Sequence, residues 1–446
     1  MPKKIAFIGA GSVVFTRNLA RDIITFPAFS DCEIALMDIE QENLDLAQAA
    51  VKRIVAEGKS AAKVTATLDL AAALDGADGV LTTIQVGDDA AENIDCEIPK
   101  EYGISLSVGD TRGPSGIFRF LRTLPPLLDI LHAIERYCPK AVYLNYTNPM
   151  AMLCRTMQEV SPKTMVSGLC HSVQGTAEML AKWLGAPMDE ITYVCAGINH
   201  QAHYLKFDRN GVDQYPELRR ILMEKPEIFN EEQVRNEMFL RLGYYVTESS
   251  GHNSEYVSWF RKRPELIEQY CTHGTGWNPG LDRVDQRRSG ERKPRAERRR
   301  VEFDKWINGD IKLERGNEYA AYIFNAIFGD KTLFEFNGNV RNFGLIDNLP
   351  EGCCVEVPVL AGPGGLKPIH VGPLPPQLAI LNQLNASIEE LAVEAALEGD
   401  PRKVYHSCLY DPLTSAMLSM KEIEDMVKKF FKAEKEWLPQ FKTFDF

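Results

Sequence analysis

Short apolar segments alternate with amphipathic ones through the first half of the chain. The apolar segments predict strands at 4–8, 33–38, 63–67, 79–84 and 141–146. Apolar residues at helical spacing predict helices at 44–57, 70–74 and 121–137, the last interrupted early by Pro125 and Pro126. Strands that alternate with helices build parallel sheets covered on both faces. The pattern therefore predicts an α/β fold whose N-terminal part is a Rossmann-like, doubly wound parallel sheet.

The turn after the first strand has the composition of a phosphate-binding loop. Gly9, Gly11 and Ser12 follow that strand, and an amphipathic helix begins after them. Glycines let the backbone approach a pyrophosphate, and the helix N-terminus contributes N–H groups and a positive dipole. The third glycine of G-x-G-x-x-G is absent, because Val14 stands there. The partial motif alone is weak evidence, since many glycine turns are only turns.

The end of the second strand strengthens this interpretation. Asp38 stands where a carboxylate binds a ribose 2′-hydroxyl and repels a 2′-phosphate. With the glycine turn it predicts a site for NAD rather than NADP. The alternative is a solvated Asp at a strand end.

Polar residues also end the strand predicted at 141–146. The sequence there reads Asn145-Tyr146-Thr147-Asn148-Pro149. A side-chain amide beside a rigid turn can bind a nicotinamide ribose or a substrate hydroxyl, which makes Asn145 a cofactor candidate and Asn148 a substrate candidate. The alternative is a turn that uses Asn for its turn propensity.

Two strands of the second half end in residues that could bind a metal. Cys170 and His171 follow the apolar run at 166–169, and His200 follows the strand that breaks at Gly197-Ile198-Asn199. Their separation excludes a zinc finger, whereas one thiolate and one imidazole would leave open the positions that a catalytic metal needs. From spacing alone, a buried apolar cysteine and a satisfied histidine are the more common outcome.

Composition narrows the class of protein. The 446 residues carry a net charge of -12, which disfavours nucleic acid as a partner. No apolar run approaches the roughly 20 residues that cross a bilayer, and the glycine-broken N-terminus is not a secretory signal. The ten cysteines have no framework spacing. We therefore expect reduced thiols in a cytoplasmic enzyme.

Two further segments have unusual composition. Residues 248–260 mix ionisable and aromatic side chains, which suits a sugar pocket as well as a core helix. Residues 283–300 are rich in arginine. Such a run is usually solvated or mobile, and an interaction patch or an active-site lid are alternatives. Nucleic-acid binding is disfavoured here because aromatic residues and a reading motif are missing.

Motifs along nearly the whole chain identify a family resemblance. The chain resembles the NAD-dependent family 4 glycoside hydrolases, and within them the α-galactosidase (melibiase) branch. The pair C-H-S-V-Q-G and C-A-G-I-N-H is highly specific. The matching segments are F-I-G-A-G-S at 7–12, A-L-M-D-I at 35–39, L-N-Y-T-N-P-M-A-M at 144–152, G-L-C-H-S-V-Q-G-T-A-E at 168–178, C-A-G-I-N-H at 195–200, G-Y-Y-V-T-E-S-S at 243–250, G-N-V-R-N-F-G-L-I-D-N-L-P at 338–350 and G-C-C-V-E-V at 352–357.

The resemblance implies a redox route to hydrolysis. In this family a Cys and the His of G-x-N-H, here Cys170 and His200, hold a divalent metal, usually Mn²⁺. A tightly bound NAD takes hydride from sugar C3, a base removes the acidified C2 proton, and the aglycone leaves with acid assistance. Water then adds, and NADH returns the hydride, so the net reaction is hydrolysis. The metal stabilises the developing negative charge on the sugar oxygens.

The resemblance also assigns roles to individual residues. The base of the phospho-glycosidase branch aligns with Tyr256, and its acid, an Asp, is replaced here by His171. Asn148 would contact substrate hydroxyls. The phospho-glycosidases carry an Arg motif for a 6-phosphate where this chain reads Gln85-Val86-Gly87-Asp88-Asp89. An unphosphorylated sugar is therefore expected.

The domain organisation follows the same resemblance. We expect an NAD-binding domain at 1–165 and a metal- and substrate-binding α+β catalytic domain at 166–446, as in lactate and malate dehydrogenases. The partner would be a small glycoside, with no nucleic acid and no membrane, and the chain would form a homodimer or homotetramer.

Other functions stay open at this stage. α-Galacturonidase and α-glucosidase activities belong to the same family, because one or two pocket residues decide C4 stereochemistry or C6 oxidation. A lactate- or malate-type dehydrogenase would share the first half of the chain. A non-catalytic dinucleotide sensor would not need Cys170 and His200 together.

Overall fold

The computed structural model of the chain describes residues 2–272, 282–290, 293–444 and 446. Within these residues, nine strands form one sheet and three strands form a second, antiparallel sheet. The strands are β1 (Lys4–Ile8), β2 (Glu33–Met37), β3 (Lys63–Thr67), β4 (Gly79–Thr82), β5 (Val142–Asn145), β6 (Met165–Gly168), β7 (Ile191–Ala196), β8 (His203–Arg209), β9 (Val212–Asp213), β10 (Phe334–Arg341), β11 (Cys354–Gly362) and β12 (Gly365–Pro368).

Helices cover both faces of the large sheet and build most of the second half. No helix in the described part of the chain combines the length and the hydropathy that crossing a membrane requires. The helices are α1 (Val13–Ile24), α2 (Gln41–Glu57), α3 (Leu70–Leu74), α4 (Asp88–Glu101), α5 (Gly113–Tyr137), α6 (Met150–Val160), α7 (Ser172–Leu184), α8 (Tyr215–Glu224), α9 (Pro226–Glu231), α10 (Gln233–Leu242), α11 (Ser250–Glu255), α12 (Pro264–Tyr270), α13 (Arg283–Arg288), α14 (Arg295–Asn308), α15 (Tyr319–Phe328), α16 (Pro376–Glu398), α17 (Pro401–Tyr410), α18 (Pro412–Met417) and α19 (Met420–Glu434).

The order of strands in the large sheet confirms the predicted fold class. The strands run β3-β2-β1-β4-β5-β6 and pair in parallel, which is the order of a doubly wound dinucleotide-binding sheet. Strands β10, β11 and β12 extend the sheet in antiparallel register beyond β6. The carboxyl ends of the parallel strands therefore lie along one edge, and the order reverses between β1 and β4.

Helix α5 differs from the sequence expectation, because it runs unbroken through Pro125 and Pro126. Proline lacks the N–H that would bond the carbonyl four residues earlier. For Pro125 that carbonyl belongs to Leu121, and it accepts a hydrogen bond of 2.8 Å from the Gln440 side-chain amide. A distant side chain thus satisfies the group that the proline leaves open, which local sequence cannot reveal.

The C-terminal helices pack onto the first half of the chain. Phe118 of α5 stacks on Phe430 of α19, with ring centroids 4.6 Å apart. The buried guanidinium of Arg122 binds Asp95 at 2.8 Å and Glu434 at 3.0 Å. A buried charge is stable only when it is paired in this way. Helix α19 is therefore packed against α4 and α5 of the first half of the chain, and the division at residue 165 stays a prediction.

Candidate active site

One cavity, called the first cavity here, lies at the carboxyl ends of β1, β2 and β4. The predicted cofactor residues Gly9, Gly11, Ser12 and Asp38 all line it. The turn allows no larger side chain at its two glycines. Gly9 has φ +83°, and a Cβ there would lie 2.9 Å from the Thr83 carbonyl oxygen. A Cβ on Gly11 would lie 2.7 Å from the Cβ of Asn43.

Asp38 ties the two strand ends of this cavity together. Its Oδ2 accepts a hydrogen bond of 2.7 Å from the backbone N–H of Gly11, and its Oδ1 accepts one of 3.1 Å from Glu40. The carboxylate thus stands beside the glycine turn, as a ribose-binding acid requires. Apolar Leu70, Ile84 and Ile130 complete the far wall.

The two asparagines after β5 have different surroundings. Asn145 is fully buried, and its amide group bonds the backbone of Thr147 at 3.0 and 3.1 Å. In this structure the Asn145 side chain stabilises the turn that follows β5. Asn148 lines the second cavity, and its Oδ1 is buried without a hydrogen-bond partner among the described residues. A buried orphaned acceptor is rare in proteins, so it favours a ligand at Asn148.

The second cavity measures about 420 Å³ and lies on the same edge of the sheet. Cys170 and His171 reach it from the end of β6, and His200 from the turn after β7. The residues that line it are Phe15, Asp110, Tyr146, Asn148, Met150, Leu169, Cys170, His171, Ser172, Gly175, Thr176, His200, Glu232, Arg235, Glu248, Ser249 and His252.

Three potential metal ligands converge in the second cavity. Cys170 Sγ lies 3.3 Å from His200 Nε2, which lies 3.2 Å from Glu248 Oε2. All three ligand atoms lie within 4.8 Å of one another. His200 and Glu248 both have φ +64°, a conformation that costs a non-glycine residue energy and that clusters at functional sites. The donor set of sulfur, nitrogen and oxygen fits a divalent transition metal.

The protonation states in this cluster suit a cation. Burial, the dominant cause, lowers the pKa of His200 to about 4, so its imidazole is neutral and able to ligate. Burial also opposes ionisation of Glu248, but the histidines around it outweigh that effect and lower its pKa to about 2. Burial and the Glu248 charge raise the pKa of the Cys170 thiol. Metal binding would release that thiol proton.

The turn that presents His200 is fixed from both sides. Gly197 has φ +151°, and a Cβ on it would lie 2.6 Å from Asn382 Oδ1. The same oxygen accepts a hydrogen bond of 2.8 Å from Ile198 N–H. From the other side, the buried Arg112 donates to the Asn199 carbonyl at 2.7 Å. These contacts explain why the motif C-A-G-I-N-H has a glycine and where its histidine points.

Tyr256 lies behind His200. Its hydroxyl is 3.1 Å from His200 Nδ1, and Thr111 Oγ1 is 3.4 Å from the same nitrogen. The ring is buried, with the Arg112 guanidinium carbon 4.7 Å from its centroid. Burial, with the charge of Asp110, raises the pKa of the phenol. Tyr256 thus contacts the side of the imidazole opposite the nitrogen that faces Cys170 and Glu248, and it is not among the described residues that line the second cavity.

Sequence reasoning missed five ionisable residues of this cavity, namely Asp110, Glu232, Arg235, Glu248 and His252. Glu248 and His252 stand in the segment that was singled out only for its mixed composition, and Asp110 was not noticed. His252 lies 3.3 Å from Glu248 and 3.4 Å from Asp110. Burial opposes its charge, but these carboxylates raise its pKa to about 9. The available signal was Glu248-Ser-Ser-Gly-His252, two ionisable residues at helical spacing.

The segment after β4 belongs to the first cavity. Gln85, Val86 and Asp88 line it together with Asp38. They are therefore separate from the residues around Cys170, and the expectation of an unphosphorylated sugar no longer rests on them.

Comparison with known proteins identifies the family. The profile of the family 4 glycosyl hydrolases matches residues 4–186, and that of their C-terminal domain matches residues 195–414. The chain belongs to glycosyl hydrolase family 4. It is 40% identical to an α-galactosidase of Bacillus subtilis, over 99% of this chain and 100% of the relative. It is 32% identical to an α-galacturonidase of Thermoanaerobacterium saccharolyticum, over 98% and 97%.

A solved structure of a family 4 enzyme has the same fold. A 6-phospho-α-glucosidase from gut microorganisms, determined in complex with NAD and Mn²⁺, superimposes with a TM-score of 0.83 at 20% identity. The alignment covers 99% of this chain and 100% of that one. The family profiles and the identity to the α-galactosidase confirm the resemblance predicted from the motifs, and this superposition confirms the predicted fold.

Proposed function

We propose that this family 4 enzyme hydrolyses α-galactosides with the help of NAD and a divalent metal such as Mn²⁺. The observation that carries the proposal is the cluster of Cys170, His200 and Glu248 in a cavity beside the glycine turn, on one sheet edge. A dehydrogenase of the malate type needs no such cluster, and neither does a dinucleotide sensor. The 40% identity to an α-galactosidase supports the choice of sugar.

Each part of the site has a task in this proposal. When bound, NAD would accept hydride from sugar C3, and the metal would act as a Lewis acid toward the sugar oxygens. Cys170, His200 and Glu248 would hold the metal, and Asp38 with the glycine turn would hold the dinucleotide. The unsatisfied Oδ1 of Asn148 would accept a hydrogen bond from a sugar hydroxyl.

Proton transfer would fall to Tyr256 and His171. Tyr256 would accept the C2 proton. Its hydroxyl contacts Nδ1 of His200, whose Nε2 faces Cys170 and Glu248, and the charge of a metal held there would favour the phenolate. His171 is exposed to the second cavity, so it would protonate the departing glycosidic oxygen. Assembly as a homodimer or homotetramer and a cytoplasmic location stay predictions.

The charges around the second cavity favour an uncharged sugar. Three carboxylates line it, from Asp110, Glu232 and Glu248, and Arg235 is the one Arg or Lys among its described lining residues. The Arg235 guanidinium already bonds Glu232 at 3.0 Å and Thr176 at 2.8 Å. His252, whose pKa is raised to about 9, is also a cation of this cavity, and it is already paired with Asp110 and Glu248. A sugar carboxylate or phosphate would therefore face acids and cations that are already paired, and an uncharged hydroxymethyl group avoids that repulsion.

A panel of p-nitrophenyl glycosides tests the proposed activity directly. With NAD and Mn²⁺ under reducing conditions, we expect the α-galactoside to be cleaved faster than the α-glucoside or the α-galacturonide. The discrimination should be roughly 10-fold or more, because a misplaced hydroxyl or an unpaired charge costs at least about 1.4 kcal/mol. Preference for the galacturonide would refute the choice of sugar. Stoichiometric NADH release without p-nitrophenol would indicate a dehydrogenase instead.

Asp38 tests the choice of dinucleotide. Asp38→Ala should weaken NAD binding roughly 10-fold, because the variant loses an acceptor for the ribose hydroxyls. It should also reduce the preference for NAD over NADP, because it loses a charge that repels a 2′-phosphate. Asp38→Asn is the matched control, since it removes the charge but keeps an acceptor for Gly11 N–H. Titration calorimetry with both nucleotides measures the effect. Equal affinities of the wild type for NAD and NADP would contradict the prediction.

A further inference from the structure

The arginine-rich segment contributes side chains to the first cavity. Arg295 and Arg299 of α14 line it, although they are distant in sequence from the glycine turn. They are the cationic side chains among its described lining residues. The carboxylates on the same lining belong to Asp38, Glu40, Asp88 and Asp129. Without the two arginines, the cavity would offer only negative charge to a ligand that carries phosphates.

Helix α14 is anchored firmly enough to position these side chains. The backbone N–H of Arg295 donates to Asp89 Oδ2 at 2.8 Å. Further along the helix, Glu302 pairs with Arg17 at 3.3 Å, and the Arg17 guanidinium carbon lies 4.5 Å from the Trp306 ring centroid. The segment was expected to be solvated or mobile, with a lid as an alternative. Residues 291 and 292 within it lie outside the described residues.

Neither guanidinium group has all of its N–H donors occupied by close side-chain partners in the described structure. Arg295 and Arg299 share the Asp88 carboxylate at 3.6 and 3.7 Å, distances too long for hydrogen bonds. Asp88 is itself 62% exposed, so water already competes for it. Arg299 donates one hydrogen bond of 2.6 Å to Asn43 Oδ1, beside Gly11, which leaves its other nitrogens available.

We propose that Arg295 and Arg299 bind a phosphate group of the dinucleotide, exchanging the distant Asp88 carboxylate for phosphate oxygens. The inference rests on the proposed use of NAD. Guanidinium groups bind phosphate with paired, charge-assisted hydrogen bonds. Because NAD carries no 2′-phosphate, the group bound would be the pyrophosphate, which NAD and NADP share. The second half of the chain would then complete a cofactor site that the glycine turn begins.

Titration calorimetry of the full-length chain tests this proposal without relying on activity. Arg295→Gln and Arg299→Gln should each weaken NAD binding roughly 10-fold, the effect of losing a charge-assisted hydrogen bond. They should also reduce the dependence of NAD affinity on salt concentration. Arg300→Gln is the matched control, because it removes the same charge from an exposed position on the same helix.

Asp88→Asn separates a binding role from a structural one. Removing the competing carboxylate should tighten NAD binding by about two- to fivefold. A merely structural contact between α14 and Asp88 would give the opposite sign. Thermal unfolding of each variant shows whether the fold is intact.

Parallel titrations with NADP identify the phosphate. Equal losses for NAD and NADP would support contact with the pyrophosphate, and a loss confined to NADP would contradict it and assign the arginines to a 2′-phosphate. If wild type binds NAD and both arginine variants bind it equally well, the inference is wrong while the proposed function stands. If wild type binds neither nucleotide, both fail.

Discussion

Cys170→Ser and His200→Ala should each reduce glycosidase activity by roughly 10³-fold or more. Lewis-acid catalysis lowers the activation free energy of the reaction by several kcal/mol, and each 1.36 kcal/mol is a factor of ten in rate. Each substitution removes one of the three ligand atoms that converge in the second cavity among the described residues. Folding and NAD binding should largely survive, because the first cavity is lined by other residues.

Metal content distinguishes this prediction from simple misfolding. Elemental analysis after dialysis against Mn²⁺ should find about one ion per chain in the wild type and less in the variants. Glu248→Gln should bind Mn²⁺ more weakly while keeping the shape of the side chain, because it loses the anionic ligand. Cys195→Ser is the matched control, since Cys195 is equally buried but lies in β7, away from the cavity wall. Full turnover by Cys170→Ser in EDTA would refute the metal assignment.

Local patterns in the sequence were sufficient to predict the parallel sheet. The strands β1 to β6 are short, apolar and separated by helices, so each can be recognised from its own residues. The extension of the sheet could not be predicted in the same way. The glycines, asparagines and proline of residues 338–350 are typical of turns, but Phe334–Arg341 is β10, which pairs with β11 along its whole length. Its polar residues, such as Asn337 and Asn339, are buried and bond to backbone carbonyls of distant strands.

The residues of the candidate site also differ in how far they could be predicted from local sequence. The glycine turn and Asp38 stand at fixed offsets from predicted strands, so their meeting follows from the topology. Cys170 and His200 have no informative spacing, and only the family motif singled them out. Glu248 could not be assigned, because its approach to His200 depends on a left-handed backbone conformation at both residues. Such a conformation is imposed by the surrounding fold rather than by the local sequence.

The proposed mechanism predicts that product formed in D₂O carries deuterium at C2. Oxidation at C3 acidifies the C2 proton, and the proton that is lost is replaced from solvent. A glycosidase that uses two carboxylates never breaks the C2–H bond, so it would incorporate none. Substrates deuterated at C2 or C3 should also react more slowly if those steps limit the rate. NMR of the sugar product decides between the two routes, and full retention of protium at C2 by the wild type would exclude elimination.

Tyr256→Phe should slow C2 exchange by roughly 10²–10⁴-fold, the usual cost of losing a general base. The phenyl ring keeps the packing against Arg112, and only the hydroxyl is removed. That hydroxyl lies 3.1 Å from His200 Nδ1. Tyr256 could therefore act instead by orienting the imidazole of His200 as a metal ligand. Thr111→Val provides the matched comparison, because it removes the other hydroxyl near the same nitrogen, at 3.4 Å. If Tyr256 is the base, Tyr256→Phe should slow C2 exchange without changing Mn²⁺ affinity, and Thr111→Val should leave C2 exchange unchanged. A parallel loss of Mn²⁺ affinity in both variants would instead assign Tyr256 to the support of His200.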